Sequence, residues 1–196
     1  MKASKTYSSA HPKTTRSPNL KNREVQNAMK NPASRKYQEV PPHFLFQHPA
    51  HFIALGAGTG LLPTMPGTWG SLLAIPIALL LHHLGSTIIY LGISIILLII
   101  GTWAAHVTGQ HLKEPDHPSI VIDEIAALTL LLFFTGRPWP AAILSFVLFR
   151  VFDTLKPPPI DRIDKQTKTA LGVMLDDLIA AIYTLILITL LLHFGA

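Results

Sequence analysis

The placement of its acids limits this chain more than any other feature. Three segments rich in Leu, Ile, Val and Ala carry carboxylates. They read Ser119-Ile-Val-Ile-Asp123-Glu124-Ile-Ala-Ala-Leu, Leu148-Phe-Arg150-Val-Phe-Asp153-Thr-Leu-Lys156 and Leu171-Gly-Val-Met-Leu-Asp176-Asp177-Leu-Ile-Ala. A charged side chain at mid-bilayer depth costs at least ~2.5–3.5 kcal/mol, so such residues usually face a polar cavity or mark a functional site. Fold stability gives little reason for five of them in three apolar segments. The pattern predicts that something cationic sits between the segments.

Apolar segments dominate the chain. Hydrophobic residues make up 49% of its 196 residues and charged residues 14%, against about 25% charged in ordinary globular domains. That is the profile of a membrane protein. Cysteine is absent, which excludes disulfides, cysteine-rich zinc sites and the cysteine-nucleophile route to phosphatase chemistry. Charge is unevenly placed. Residues 1–42 hold nine bases and two acids, while the remainder holds seven bases and nine acids. The basic stretch is polar and lacks apolar periodicity, so it is expected to be a disordered cytoplasmic tail. It has no apolar core of the kind a secretory signal peptide needs. Aromatic residues are almost missing from it (Tyr7 and Tyr37), which argues against nucleic acid as a partner and for anionic lipid. The expected division is a tail over 1–42 and a membrane-embedded domain over 43–196.

Five apolar segments follow, at 69–84, 87–107, 120–135, 139–155 and 173–194. The expected fold is an all-α helical membrane bundle of about five apolar helices. The second and fifth segments reach the ~20 residues needed to span a bilayer as helix. The third and fourth are shorter and form a hairpin through Gly136-Arg137-Pro138. Basic loops stay cytoplasmic, which places the tail and the connection holding Lys156, Arg162, Lys165 and Lys168 on that side. Every carboxylate named above then falls at a cytoplasmic helix end, beside the glycine-rich stretch at 56–71.

Each group of residues has a plain structural reading. Asp123 and Glu124 fall in the first turn of their helix, where the dipole favours acids by ~0.3–1 kcal/mol. Arg150 and Asp153, spaced i,i+3, suit a simple ion pair, with Lys156 one turn further on. Taken together, the acids favour a hard-cation site, since Mg2+ takes carboxylate oxygens, waters and often a substrate phosphate. Histidines His106, His111 and His117 are scattered without zinc-ligand spacing, although His117 is close enough to Asp123 to be an acid or a substrate contact. The stretch from Gly56 to Ser71 is neither a Walker A loop nor a Rossmann turn. Its glycines can expose amides, and Thr68 or Ser71 can cap the next helix, giving an anion site at a helix N-terminus. A plain capped loop is the simpler reading of that stretch taken by itself. In combination these parts describe phosphoryl chemistry on a membrane lipid. A metal would shield the phosphate and activate water. Arg150 and Lys156, with Gly67, Thr68 and Ser71, would hold phosphate oxygens.

These residues resemble the phosphatidylglycerophosphatase A family of bacterial inner-membrane, Mg2+-dependent lipid phosphatases. The resemblance lies in four ordered blocks. They are Gly58-Thr-Gly-Leu-Leu-Pro-x-x-Pro-Gly67-Thr-x-Gly70-Ser71; Asp116-His-x-Ser119-Ile-Val-x-Asp123-Glu124; Phe149-Arg150-x-x-Asp153-x-x-Lys156-Pro-x-Pro-Ile160; and Leu171-Gly-Val-Met-Leu-Asp176-Asp177. It implies hydrolysis of phosphatidylglycerophosphate to phosphatidylglycerol and inorganic phosphate. It also implies that the acidic blocks supply the metal ligands: Asp123, Glu124, Asp176 and Asp177, with Asp153 as a further catalytic acid. Which carboxylate is base and which is ligand stays open. Thr169-Ala170 stands where the family often has two glycines, Ala127 where it has a helix glycine, Thr129 where an aromatic is common, and Asp164-Lys165 where Asp-Arg is usual.

The competing reading is a small ion or proton transporter using the carboxylates as a relay. Transporter sites lie near mid-membrane at broken helices, whereas these acids gather at expected cytoplasmic ends. The spaced pattern of alcohol phosphotransferases is absent. Oligomeric state is not legible.

Overall fold

Helices account for every regular element among the described residues, which in this computed structural model are 40–135, 139–158, 160 and 169–194. The basic tail up to residue 39, the expected hairpin turn Gly136-Arg137-Pro138 and the connection at 161–168 lie outside them. A 3-10 turn (Pro42–Phe46) leads into a short helix α1 (Pro49–Ala54) and a second 3-10 segment (Gly56–Leu61). Five longer helices follow: α2 (Pro66–His83), α3 (Thr87–Leu112), α4 (Ile122–Thr135), α5 (Trp139–Leu155) and α6 (Ala170–Phe194).

The shortest of the five is the centre of the fold. α4 is apolar on all sides after its two acids, and a helix of that kind must be buried. Ten of its fourteen residues are buried, and it packs against α2, α3, α5 and α6. Ala126 and Ala127 are fully enclosed, small enough to let neighbouring backbones come close. The outer helices are apolar in the opposite sense. Ile88, Ile95, Ile96 and Ile99 of α3, and Ile182, Ile186 and Leu191 of α6, are exposed. Among the described residues these are the two helices long and apolar enough to cross a membrane. At 26 residues, α3 extends ~39 Å, beyond the ~30 Å of a hydrocarbon core.

Several boundaries differ from expectation for physical reasons. α3 runs to Leu112 rather than 107, because Gly109 lets the chain pack on Pro115 and Lys113 closes the helix at φ 57. α2 begins at Pro66, where the fixed φ of proline suits a first helical position. Its N-cap is Met65 at φ 51, and no side chain caps it. Thr68 and Ser71 are therefore inside the helix, and the expectation that either would cap it is corrected. Pro76 is an interior residue of α2.

Sequence reading did not anticipate α1 or its anchor. His51 is buried, with Nδ1 2.9 Å from the Phe44 carbonyl and Nε2 2.7 Å from His111 Nδ1. Burial lowers the His51 pKa, so the ring is neutral: it donates to Phe44 and accepts from His111. A histidine that looked scattered on α3 is thus the hook for α1.

Candidate active site

The site is built around the N-terminus of α4. The backbone before it is pinned by Val121 N–H donating to the Ala54 carbonyl at 2.9 Å. Asp123 Oδ1 accepts the Glu124 amide at 3.0 Å, which is how a first-turn acid satisfies an orphan helix donor. Glu124 reaches across to α2. A Cβ at Gly67 would collide with the Glu124 carboxylate, so glycine is what allows the first turn of α2 to lie on that acid. Likewise a side chain at Gly60 would meet the Ser119 carbonyl. The glycine-rich stretch is the seat into which the acidic end of α4 fits. Its amides are also less open than a phosphate cradle requires, since Thr68 and Trp69 N–H turn back to the Met65 carbonyl at 2.9 and 3.4 Å.

Glu124 is braced from two sides. Ser71 Oγ donates to Glu124 Oε2 at 2.6 Å, with the Gly67 carbonyl 2.9 Å away as its alternative acceptor. Arg150 Nη1 donates to Glu124 Oε2 at 2.6 Å and to Asp153 Oδ2 at 2.8 Å. The i,i+3 ion pair is therefore real, and through Glu124 it extends to a second helix.

α6 completes the cluster. Asp177 is close enough to Asp123, Asp153 and Glu124 to interact with them electrostatically, and its Oδ2 is buried with no hydrogen-bond partner among the described residues. Asp176, about 100° round the helix, points elsewhere: its Oδ2 lies 3.7 Å from Lys156 Nζ. Asp123, Asp176 and Asp177 are at most 5% exposed. His117 is buried in the loop before α4, where its Nδ1 accepts the Ser119 amide at 3.2 Å and so shapes that loop. Thr68 lies on the α2 side of a groove that it shares with Arg150.

The structure thus gathers Gly67, Ser71, Asp123, Glu124, Arg150, Asp153 and Asp177, flanks them with Lys156–Asp176, and uses His117 in the adjoining turn. Sequence reading missed the seat made by Gly60 and Gly67. The signal was present as glycines at the start of an apolar helix, but the partner lies more than fifty residues away.

Among the described residues no three carboxylate or imidazole groups already converge as ligands on one point. The donor chemistry is nonetheless that of a hard-cation site. Five carboxylates stand against the two bases Arg150 and Lys156, all the donors are oxygens, and one buried oxygen of Asp177 is unsatisfied. Mg2+ keeps several waters and needs one or two protein carboxylates, so a complete protein cage is not required.

Buried acids braced by an arginine between apolar helices form, among the described residues, an all-helical protein with an oxygen-donor site of the kind that phosphate-ester hydrolysis can use. The comparisons with known proteins narrow the class. The family model described as Phosphatidylglycerophosphatase A matches residues 52–192. The chain is 35% identical over 142 residues to phosphatidylglycerophosphatase A of Haemophilus influenzae, covering 72% of this chain and 87% of that protein. It is 36% identical over 140 residues to phosphatidylglycerophosphatase A of Escherichia coli, covering 69% and 78%. A Bacteroides thetaiotaomicron protein named provisionally as a phosphatidylinositol-3-phosphatase is 34% identical over 143 residues, covering 69% and 89%. The chain belongs to the phosphatidylglycerophosphatase A family. No solved structure matches it.

Proposed function

We propose that this protein removes the terminal phosphate of phosphatidylglycerophosphate, releasing phosphatidylglycerol and inorganic phosphate, as a Mg2+-dependent phosphoric monoester hydrolase. The observation that carries the reading is the meeting of Asp123, Asp153 and Asp177 around Arg150-braced Glu124, in a chain of this family. Asp123, Glu124, Asp176 and Asp177 are the proposed metal donors. Asp123 and Asp177 lead, because Glu124 and Asp176 are each bridged to a base. When bound, Mg2+ supplies charge neutralisation at the phosphate and a more acidic water.

The protein's own groups supply the rest. Arg150 spends one nitrogen on Glu124 and Asp153, and its other N–H donors remain for phosphate oxygens. Lys156 adds a second cation at the edge of the site. Asp153, held by Arg150, is placed to accept a proton from the attacking water. Ser71 and Gly67 fix Glu124 and thereby the position of Arg150.

The same reading makes α2 to α6 a multi-pass bundle in a bacterial inner membrane, with the acidic ends facing the cytoplasm and the basic tail on anionic lipid. It is supported by the length and apolarity of α3 and α6 and by their exposed isoleucines and leucines. The transporter alternative gains nothing from the site, whose acids cluster at helix ends on α4 and α5 rather than at a mid-helix break.

Phosphate release by the purified full-length protein in detergent tests the reading directly. Phosphatidylglycerophosphate is expected to be the fastest substrate, ahead of phosphatidylinositol-3-phosphate and phosphatidic acid. Activity should vanish with a chelator and return with Mg2+. Full turnover without divalent metal, or a preference for the inositol lipid, would overturn it.

A further inference from the structure

Two apolar grooves of similar size cut the outer surface of the described residues. One, of about 520 Å3, runs between α3 and the start of α6 and includes Ile99, Trp103 and Leu171. It touches none of the acids. The other, of about 460 Å3, runs between the start of α2 and the C-terminal half of α5. Met65, Val147, Val151 and Leu155 form its apolar walls, and all four side chains are exposed. Val147, Arg150, Val151, Thr154 and Leu155 follow the i, i+3, i+4 spacing of a single helix face, so the groove is a stripe of α5 closed on one side by Met65 and Thr68.

What separates the grooves is their floor. In the second, the lining includes Arg150, whose Nη1 is already at Glu124 and Asp153. It also includes Thr68, whose buried Oγ1 has no hydrogen-bond partner among the described residues. A molecule matching this shape is apolar along its length and carries an anionic, hydrogen-bond-accepting group at one end. The charge balance sharpens the match. An acid-rich site repels a free phosphate dianion, so a substrate is better delivered by apolar anchoring beside it than by diffusion of the headgroup alone.

The geometry points to the α2/α5 groove as the seat of one acyl chain of the lipid substrate, running sideways from the hydrocarbon to Arg150 and handing the phosphate to the acids. This rests on the phosphatase reading above and adds to it the path by which the lipid arrives and the chemistry that selects a long-chain substrate. Thr68 would donate to the ester or phosphate oxygens as they pass.

The test compares long-chain and dihexanoyl phosphatidylglycerophosphate on the full-length protein in detergent. Val147→Trp, which fills the groove, is expected to lower the long-chain to short-chain ratio of kcat/KM by ~10-fold or more, the scale on which an apolar pocket discriminates. Ile99→Trp, in the other groove, should leave the ratio as in the parent protein. An unchanged ratio in Val147→Trp, or an equal fall in Ile99→Trp, would sink the proposal. Because the chain has no cysteine, a second measurement is open should Val147→Trp fail to fold. Val151→Cys should cross-link to a phospholipid carrying a thiol-reactive group on its acyl chain, and Ile99→Cys markedly less. Equal labelling at both positions overturns the groove assignment. If the parent protein hydrolyses neither chain length, the phosphatase reading fails, while the cross-linking pattern still decides whether the groove holds a lipid chain.

Discussion

Asp123-Glu124 on α4 and Asp176-Asp177 on α6 are the same motif, two adjacent acids on a helix, put to use in opposite order. In the first pair the second acid, Glu124, is bridged to Arg150; in the second pair the first acid, Asp176, is bridged to Lys156. Consecutive helical residues differ by about 100° in direction, so one base cannot serve both members. The remaining acids, Asp123 and Asp177, interact electrostatically with each other. The two pairs differ in how they tolerate burial. Asp123 lies in a first turn, favoured by the dipole, and accepts the Glu124 amide. Asp177 is the eighth residue of its helix, has neither the dipole nor a backbone amide to help it, and keeps one oxygen without a partner among the described residues. Under the proposed mechanism, Asp177 is therefore the acid whose burial the helix itself does least to favour, and the one expected to matter most for chemistry.

The sharpest attempt to break that contrast removes the inward acids. Asp177→Asn is expected to lower kcat/KM about 10³-fold, the loss of ~4 kcal/mol of charge stabilisation at the reacting phosphate. Thermal stability should hold or rise, because a buried acid leaves a cluster of like charges. Asp123→Asn should lose as much activity, but it should also lose some stability with its first-turn role. Near-normal phosphate release by Asp177→Asn would end the claim that the inward acids carry the reaction.

Arg150→Lys comes next. Lysine keeps the charge but not the planar guanidinium, whose Nη1 joins Glu124 to Asp153 while its other N–H donors stay available. A fall of ~10–100-fold in kcat/KM is expected, the scale of losing a group that orients metal-site acids. A loss no larger than that of a surface lysine would show that Glu124 needs no bridging.

What local rules could read, they read well. The Arg150–Asp153 pair is three residues apart and the acids of α4 sit in its first turn, both consequences of helical geometry within one segment. The approach of Glu124 to Gly67 and Ser71 spans 53 residues in the second case, and nothing in either segment encodes its partner. The start of α2 was also hidden. The stretch Met65-Pro-Gly-Thr reads as turn chemistry, yet Pro66 opens a helix because Met65 adopts a left-handed conformation that no local preference favours. The long-range contact at Gly67 explains why that bend is kept.

Gly67→Ala tests this coupling. The new methyl would meet the Glu124 carboxylate, so a destabilisation of ~1–3 kcal/mol is expected, with about a tenfold fall in activity. Shortening the acid should relieve it. In a double-mutant cycle Gly67→Ala with Glu124→Asp should cost less than the sum of the two changes, measured by thermal midpoint and by phosphate release. Simple additivity would mean that the glycine is needed for something other than room for Glu124.

The smallest effect is expected at Lys156. Its ammonium lies 3.7 Å from Asp176 and its side chain is one-third exposed, so the ion pair contributes about 0–1 kcal/mol. Lys156→Gln should leave stability almost unchanged and raise KM by only a few-fold, since on the proposed mechanism Arg150 would still hold the phosphate. Asp176→Asn removes the buried partner instead, and it should reduce activity more than Lys156→Gln does. If the two substitutions gave equal and large losses in kcat, Lys156 would have to touch the reacting phosphate itself. The α6 pair would then mirror the α4 pair in function as well as in sequence.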